Sequence, residues 1–184
     1  MKKTIAGLSG IFSGLLPLLI IVLLSFVTKD YALFKEYVSV LGVKEFSNYF
    51  NWAIIISGFL IIPFAIYMSK FTRKLYVPAL FTISIISLVG IGVFSMSVPL
   101  MHTLSTYTFF LFVFVLILVI GLTTKLGTFS RVTQVVGVVG LVGDGLHLIS
   151  DFNPAIEAIQ IFTLTFWLIY SGINILKSKD LPNL

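Results

Sequence analysis

Six long apolar runs divide this chain, and they restrict its fold more than any other feature of the sequence. Their approximate bounds are residues 4–28, 49–68, 75–96, 99–123, 132–150 and 155–176. Each run is close to the roughly 20 residues that an α-helix needs to cross the hydrocarbon core of a bilayer. We therefore predict an all-α integral membrane protein, in which residues 1–184 form a single transmembrane domain, a bundle of six helices.

Composition supports this class and excludes others. Hydrophobic residues make up 58% of the 184 residues and charged residues only 10%, with a mean hydropathy of +1.11. A soluble domain carries about a quarter charged residues. The chain has no cysteine, which excludes disulfides, thiol catalysis and cysteine-ligated metals. The first run follows Lys2 and Lys3 and is too long for a signal peptide, so we interpret it as an uncleaved transmembrane helix.

The basic residues predict the orientation of the bundle. With the N-terminus inside, three of them fall outside: Lys29, Lys35 and Lys44. The nine others fall inside: Lys2, Lys3, Lys70, Arg73, Lys74, Lys125, Arg131, Lys177 and Lys179. The positive-inside rule then predicts a multi-pass protein of the cell membrane with both termini cytoplasmic. Because topology explains this distribution, the net charge of +5 does not indicate a nucleic-acid partner.

The outer loop, residues 29–48, allows two interpretations. Phe34, Val38 and Leu41 fall at i, i+4 and i+7, which suits a short amphipathic helix lying in the membrane interface. The alternative is an irregular loop anchored by three aromatic side chains, Tyr31, Phe34 and Tyr37.

Small residues and prolines predict how the helices pack. Gly7, Gly10 and Gly14 in the first span, and Gly137 and Gly140 in the fifth, form stripes that let another helix approach closely. Both stripes occupy the inner half of the membrane, so we expect spans one and five to contact each other there. Kinks are expected at the two prolines inside spans, Pro17 and Pro63.

The fifth span continues its glycine stripe with ionisable residues, in the stretch "GDGLHLISD". Asp144, His147 and Asp151 follow Gly137 and Gly140 in steps that keep all five on one helix face. Ionisable groups inside a membrane span are costly and are functional candidates by default. Topology brings other polar residues to the same outer level, giving a predicted polar cluster of Ser39, Asn51, His102, Asp144, His147 and Asp151.

Four interpretations of this cluster remain open. It is a hydrogen-bonded tie between spans four and five, or a zinc site in which His102, Asp144 and His147 are ligands and Asp151 is the catalytic base of a hydrolase of lipid-like substrates. Alternatively, His102 and His147 hold a haem between two helices, or Asp144 relays protons in a proton-coupled carrier.

Part of the chain resembles a known family. The stretch "YVSVLGVKEFSNYFNWAIIISGFL" is similar to the signature of domain of unknown function 998, a group of prokaryotic six-span membrane proteins. The matching residues are Ser39, Leu41, Gly42, Asn51, Gly92, Phe94 and His102. Val40 stands where the family commonly has an acid, Pro99 is displaced from just after Phe94, and "GDGLHL" does not follow the pattern. The resemblance implies the six-span fold and supports Ser39, Asn51 and His102 as one outer cluster; a looser likeness to Frag/Sfk-type six-helix membrane proteins implies the same fold.

The fourth span, "TYTFFLFVFVLILVIGL", is apolar on every face, which suits contact with lipid or with another subunit. We therefore expect a non-enzymatic structural or accessory protein that contacts membrane lipids, or a larger membrane protein complex. The outer-leaflet hydrolase is the first alternative, and the haem protein or carrier the second.

Overall fold

The described part of the chain forms seven α-helices and one 3₁₀ helix. The structure, a computed structural model, describes residues 2–149 and 153–177. Within these residues the helices are α1 (Lys3–Val27), α2 (Ser47–Leu60), α3 (Ile62–Thr72), α4 (Tyr76–Val93), α5 (Pro99–Thr123), α6 (Thr128–Ile149) and α7 (Pro154–Lys177). Because α2 and α3 together make one span, six segments are long and apolar enough to cross a membrane. The predicted all-α, six-span architecture is confirmed.

The spans alternate in direction and form a closed ring. Going round it, α1 packs on α2, α2 on α4, α4 on α5, α5 on α6, α6 on α7, and α7 on α1. One end of the bundle carries residues 28–46 and is called the long-loop end. The other carries Lys3 and Lys177 and is called the terminal end.

The interruption expected at Pro63 is present, and a serine of α1 repairs it. The second span breaks at Ile61, between α2 and α3. There the Ser9 hydroxyl donates to the Leu60 carbonyl and accepts from the Phe64 N–H, at 3.1 Å. Ser9 thus takes the place of the missing helical bond between these two backbone groups, as side chains inserted at kinks do.

At Pro17 the compensating hydroxyl group comes from α2 and serves the backbone of α1. α1 continues through Pro17 as one helix. Proline has no N–H, so the carbonyl of Ser13, four residues earlier, lacks its helical donor. The Ser57 hydroxyl of α2 donates to this carbonyl.

Aromatic side chains fill the ring from its middle toward the terminal end. The Phe64 ring lies edge-on to Trp167 and to Phe81, with centroids 5.6 Å and 6.2 Å apart. Tyr67 and Phe64 are completely buried. Large side chains therefore fill this part of the ring.

The glycine stripes lie at close helix contacts, but not with the expected partner. A Cβ on Gly7 would come within 2.9 Å of the Gly172 carbonyl of α7, and one on Gly137 within 2.6 Å of the Leu118 nitrogen of α5. The prediction that spans one and five meet is therefore wrong, because α7 lies between α1 and α6 in the ring. The other stripe residues and their closest neighbours are Gly10 on Phe64, Gly14 on Leu168, and Gly140 on Phe114.

The fourth span is also less exposed than expected. Phe114, Leu116, Ile117 and Ile120 of α5 are completely buried. They pack between α4 and α6 in the chain's own core. Only part of the apolar surface of α5 remains for lipid or a partner, Leu122 among it at 63% exposure.

The long loop folds inward. A 3₁₀ helix, Val38–Gly42, replaces the amphipathic α-helix that was one interpretation, and that interpretation is wrong. Val38 and Leu41 are each 1% exposed, and Tyr31 is buried, whereas Phe34 stacks on Phe162 of α7. The loop is therefore packed into the end of the ring.

Candidate functional site: a polar cavity at the long-loop end

A cavity of about 380 Å³ lies between α5, α6, α7 and the long loop. It is called the polar cavity. Most of its lining side chains carry a hydrogen-bonding group; these are Tyr37, Ser39, His102, Thr103, Thr106, Tyr107, Asp144, His147, Glu157 and Gln160. Met96 and Phe110 complete the lining. The described lining contains no lysine or arginine.

Asp144 is tied to α7. The Gln160 side-chain nitrogen donates to Asp144 Oδ1 at 2.6 Å and approaches the Gly140 carbonyl at 3.4 Å. The other oxygen, Asp144 Oδ2, is buried and has no hydrogen-bond partner among the described residues. The expected tie between spans four and five is therefore wrong for Asp144, which links α6 to α7 and keeps one oxygen for another donor.

Glu157 holds the long loop in place. Its side chain is 6% exposed and Oε2 accepts from the Val38 N–H at 2.7 Å. The backbone N–H and hydroxyl of Ser39 donate to the same carboxylate. Burial raises the pKa of the Tyr31 phenol, and the Glu157 charge raises it further. Three donors converge on one buried carboxyl group, and these hydrogen bonds fasten the long loop to α7.

His102 is positioned by its own chain neighbours. Its Nδ1 lies 2.8 Å from the Phe94 carbonyl, and its Nε2 lies 3.5 Å from the Thr106 hydroxyl. A carbonyl oxygen only accepts, so Nδ1 carries the proton of this bond. Nε2 of the neutral imidazole is then an acceptor.

His147 lies between two tyrosines. Its ring is edge-on to Tyr37 of the long loop and to Tyr107 of α5, with centroids 6.2 Å and 6.0 Å apart. These contacts place the imidazole between the long loop and α5, where it forms one wall of the polar cavity. Burial raises the pKa of Tyr37, which keeps its phenol protonated at neutral pH.

A second, apolar cavity adjoins the first. Its volume is about 90 Å³, and its walls are mostly hydrophobic side chains of α1, α2, α4, α5 and α7. Ser39, Thr106, Phe110 and Glu157 line both cavities. On α7 the apolar cavity extends from Glu157 to Leu168, which is about 16 Å along a helix axis. The two adjoining cavities are polar at the long-loop end and apolar toward the middle of the bundle.

The predicted zinc site does not fit the described residues. Within residues 2–149 and 153–177, no three His, Asp or Glu side chains come close enough together to hold a metal ion. His102, Asp144 and His147 line one cavity but do not form a zinc ligand set. A haem iron at His102 would have to displace Thr106 from Nε2.

Four of the six predicted cluster residues share the polar cavity: Ser39, His102, Asp144 and His147. Asn51 lies beside it instead, donating to the Gly42 carbonyl at 3.1 Å and so supporting the 3₁₀ helix. Asp151, the candidate base, lies outside the described residues.

The lining residues that sequence reasoning missed include Glu157 and Gln160, whose side chains both make hydrogen bonds. They stand three residues apart on α7, on one helix face, directly after Pro154. That spacing of a carboxyl and an amide at the start of an apolar helix was a signal available in the sequence.

One family model matches most of the chain. The family described as "Protein of unknown function (DUF998)" matches residues 11–174. The chain belongs to the DUF998 family. No curated protein and no solved structure matches it.

Two of the residues that carried the DUF998 resemblance, Ser39 and His102, line the polar cavity, and others pack beside them. Ser39, Leu41 and Gly42 form most of the 3₁₀ helix, and Asn51 holds it through Gly42. A Cβ on Gly92 would meet the Asn51 carbonyl at 2.7 Å, so that glycine lets α4 approach α2. In this DUF998 protein the family-like positions therefore shape the loop and walls of the cavity.

Proposed function

We propose that this protein binds a single-chain membrane amphiphile in the polar cavity, and that it acts as a non-enzymatic accessory protein. The observation that carries the proposal is that the two cavities are adjacent and share lining residues. A polar space of about 380 Å³ adjoins an apolar one of about 90 Å³, and residues such as Thr106 and Phe110 line both. A molecule with a polar head and one apolar chain matches that gradient.

The volumes of the two cavities favour a small ligand. Ligand cavities in proteins commonly measure about 300–1,000 Å³ and combine apolar walls with a few placed polar groups. The apolar cavity, at about 90 Å³, has room for part of one chain and not for two.

Existing hydrogen bonds favour binding over catalysis. Glu157 is engaged by Val38 and Ser39, and His102 by Phe94. A general base needs access to the proton that it abstracts, whereas these groups hold the cavity walls together. The Ser39 hydroxyl contacts a carboxylate that already receives two backbone donors.

Location and partners belong to the same proposal. The bias of basic residues toward the terminal end favours a cell-membrane protein with both termini inside, so that the polar cavity lies toward the outer surface. Exposed apolar side chains at the long-loop end, such as Leu100 at 78% exposure, suit contact with lipid or with a larger membrane protein complex.

A pair of tryptophan variants tests the proposal. Thr103 is exposed yet lines the polar cavity, so Thr103→Trp should narrow its mouth. Leu104→Trp is the matched control, because Leu104 is 59% exposed and is not among the residues that line the cavity. Native mass spectrometry after mild detergent extraction should show copurified lipid on the wild type and on Leu104→Trp, and much less on Thr103→Trp. Equal lipid on all three proteins contradicts the proposal.

A further inference from the structure

The polar cavity is rich in acceptors, and its described lining residues include no lysine or arginine. Asp144 and Glu157 supply carboxyl groups to the lining, and Nε2 of His102, 3.5 Å from the Thr106 hydroxyl, is a further acceptor. The lysines of the long-loop end do not line it; Lys44, for example, pairs with Glu36 at 3.8 Å.

From this chemistry we infer that the polar cavity selects amphiphiles whose head group donates hydrogen bonds, a primary amine or a hydroxyl, and excludes phosphate and carboxylate heads. The inference rests on the binding function proposed above and names the ligand class of that site.

Asp144 is the residue that would receive the head group. Gln160 occupies Oδ1, and the buried Oδ2 has no partner within the described parts of the chain. A buried acceptor without a donor is costly, and a ligand N–H or O–H removes that cost. Charge-assisted bonds to a carboxylate are the stronger kind, which favours an ammonium head.

Aromatic rings strengthen the preference for a cation. Tyr37, Tyr107 and Phe110 line the same cavity. The faces of aromatic rings attract cations, most strongly where water is excluded.

The polar cavity should disfavour an anionic head group. A phosphate placed beside Asp144 and Glu157 would be a third acidic group in a partly buried space, with no lysine or arginine among the described lining residues to compensate it. Burying an uncompensated charge costs far more than burying a hydrogen-bonded neutral group.

The test uses three probes with the same oleyl or oleoyl chain: oleylamine, monoolein and oleoyl lysophosphatidate. Each is titrated into delipidated full-length protein in mild detergent and followed by native mass spectrometry. We expect the amine and the monoacylglycerol to bind at least about tenfold more tightly than the lysophosphatidate, which corresponds to about 1.4 kcal/mol. This comparison on the wild type does not depend on any variant folding.

Asp144→Asn then assigns the selectivity to one residue. The asparagine keeps an oxygen for Gln160 but removes the carboxylate, so oleylamine binding should weaken about tenfold and monoolein binding should change much less. Glu45→Gln, on the exposed part of the long loop, is the control and should change neither.

The outcomes separate the two proposals. Lysophosphatidate that binds as tightly as the amine, and is weakened by Thr103→Trp, overturns the head-group inference and leaves the binding function standing. An amine preference unchanged in Asp144→Asn also overturns the inference. If Thr103→Trp weakens none of the three probes, the binding function itself fails.

Discussion

Glu157 of α7 and Val38 of the long loop, 119 residues apart in the chain, are joined by a buried hydrogen bond of 2.7 Å. This contact fixes a loop between the first two spans onto the last span. It closes the long-loop end of the ring. The segment of the long loop that covers the polar cavity is therefore packed into the folded core.

Removing that carboxylate should loosen the loop. Glu157→Leu leaves the Val38 and Ser39 donors buried without an acceptor, at a cost of about 1–3 kcal/mol for each unsatisfied group. We expect a lower melting temperature in detergent and faster tryptic cleavage after Lys35 or Lys44. Glu45→Leu changes an exposed carboxylate of the same loop and should alter neither readout. Matching cleavage rates for the two variants would show that Glu157 does not hold the long loop in place.

Two glycines of α6 should respond to alanine with opposite signs. A Cβ on Gly140 would overlap the Phe114 ring, so Gly140→Ala should destabilise the bundle by about 1–3 kcal/mol. Nothing lies within 4 Å of a Cβ on Gly145, and alanine there should stabilise the helix by up to about 1 kcal/mol. Thermal unfolding in one detergent compares them directly, and equal shifts in the same direction would count against the α5–α6 contact.

Ser9 should matter more than other serines of α1. Ser9→Ala removes both the donor to Leu60 and the acceptor for Phe64 at the break in the second span. We expect a loss of about 1–3 kcal/mol in the free energy of unfolding. Ser25→Ala is the control, because the Ser25 hydroxyl bonds only the Val22 carbonyl of its own helix turn. Unfolding in a graded denaturing detergent measures both, and a Ser9→Ala protein as stable as the control would refute this role.

The absence of cysteine makes orientation easy to measure. Glu45→Cys places one thiol at the long-loop end and Lys125→Cys places one at the terminal end. With both termini inside, a membrane-impermeant thiol reagent applied to intact cells should label the first variant and spare the second. Both should be labelled after the membrane is permeabilised. The reverse pattern in intact cells would invert the proposed topology.

The six spans were predictable because length and hydropathy alone determine which segments can cross a bilayer. Which helices contact each other was not predictable from the sequence. Gly137 signals close approach of some helix, but the order of helices in the ring decides that the helix is α5, and no local pattern encodes that order.

The candidate site was likewise predictable only in part. Asp144, His102 and His147 attract attention because ionisable residues are rare in apolar runs. Glu157 does not, because an acid in the first turn of a helix is ordinarily a surface residue that complements the helix dipole. Its burial arises only when Val38 and Ser39 fold over it, a contact between distant parts of the chain.

The hydrogen bonds that Ser9 and Ser57 make between the first two spans have a consequence for how the protein enters a membrane. Ser57 of α2 serves a backbone carbonyl of α1, while Ser9 of α1 serves the backbone where α2 meets α3. Neither span by itself satisfies all of its backbone polar groups, as lipid requires. We expect the first two spans to leave the insertion machinery together, as a hairpin, and the later spans to assemble around it.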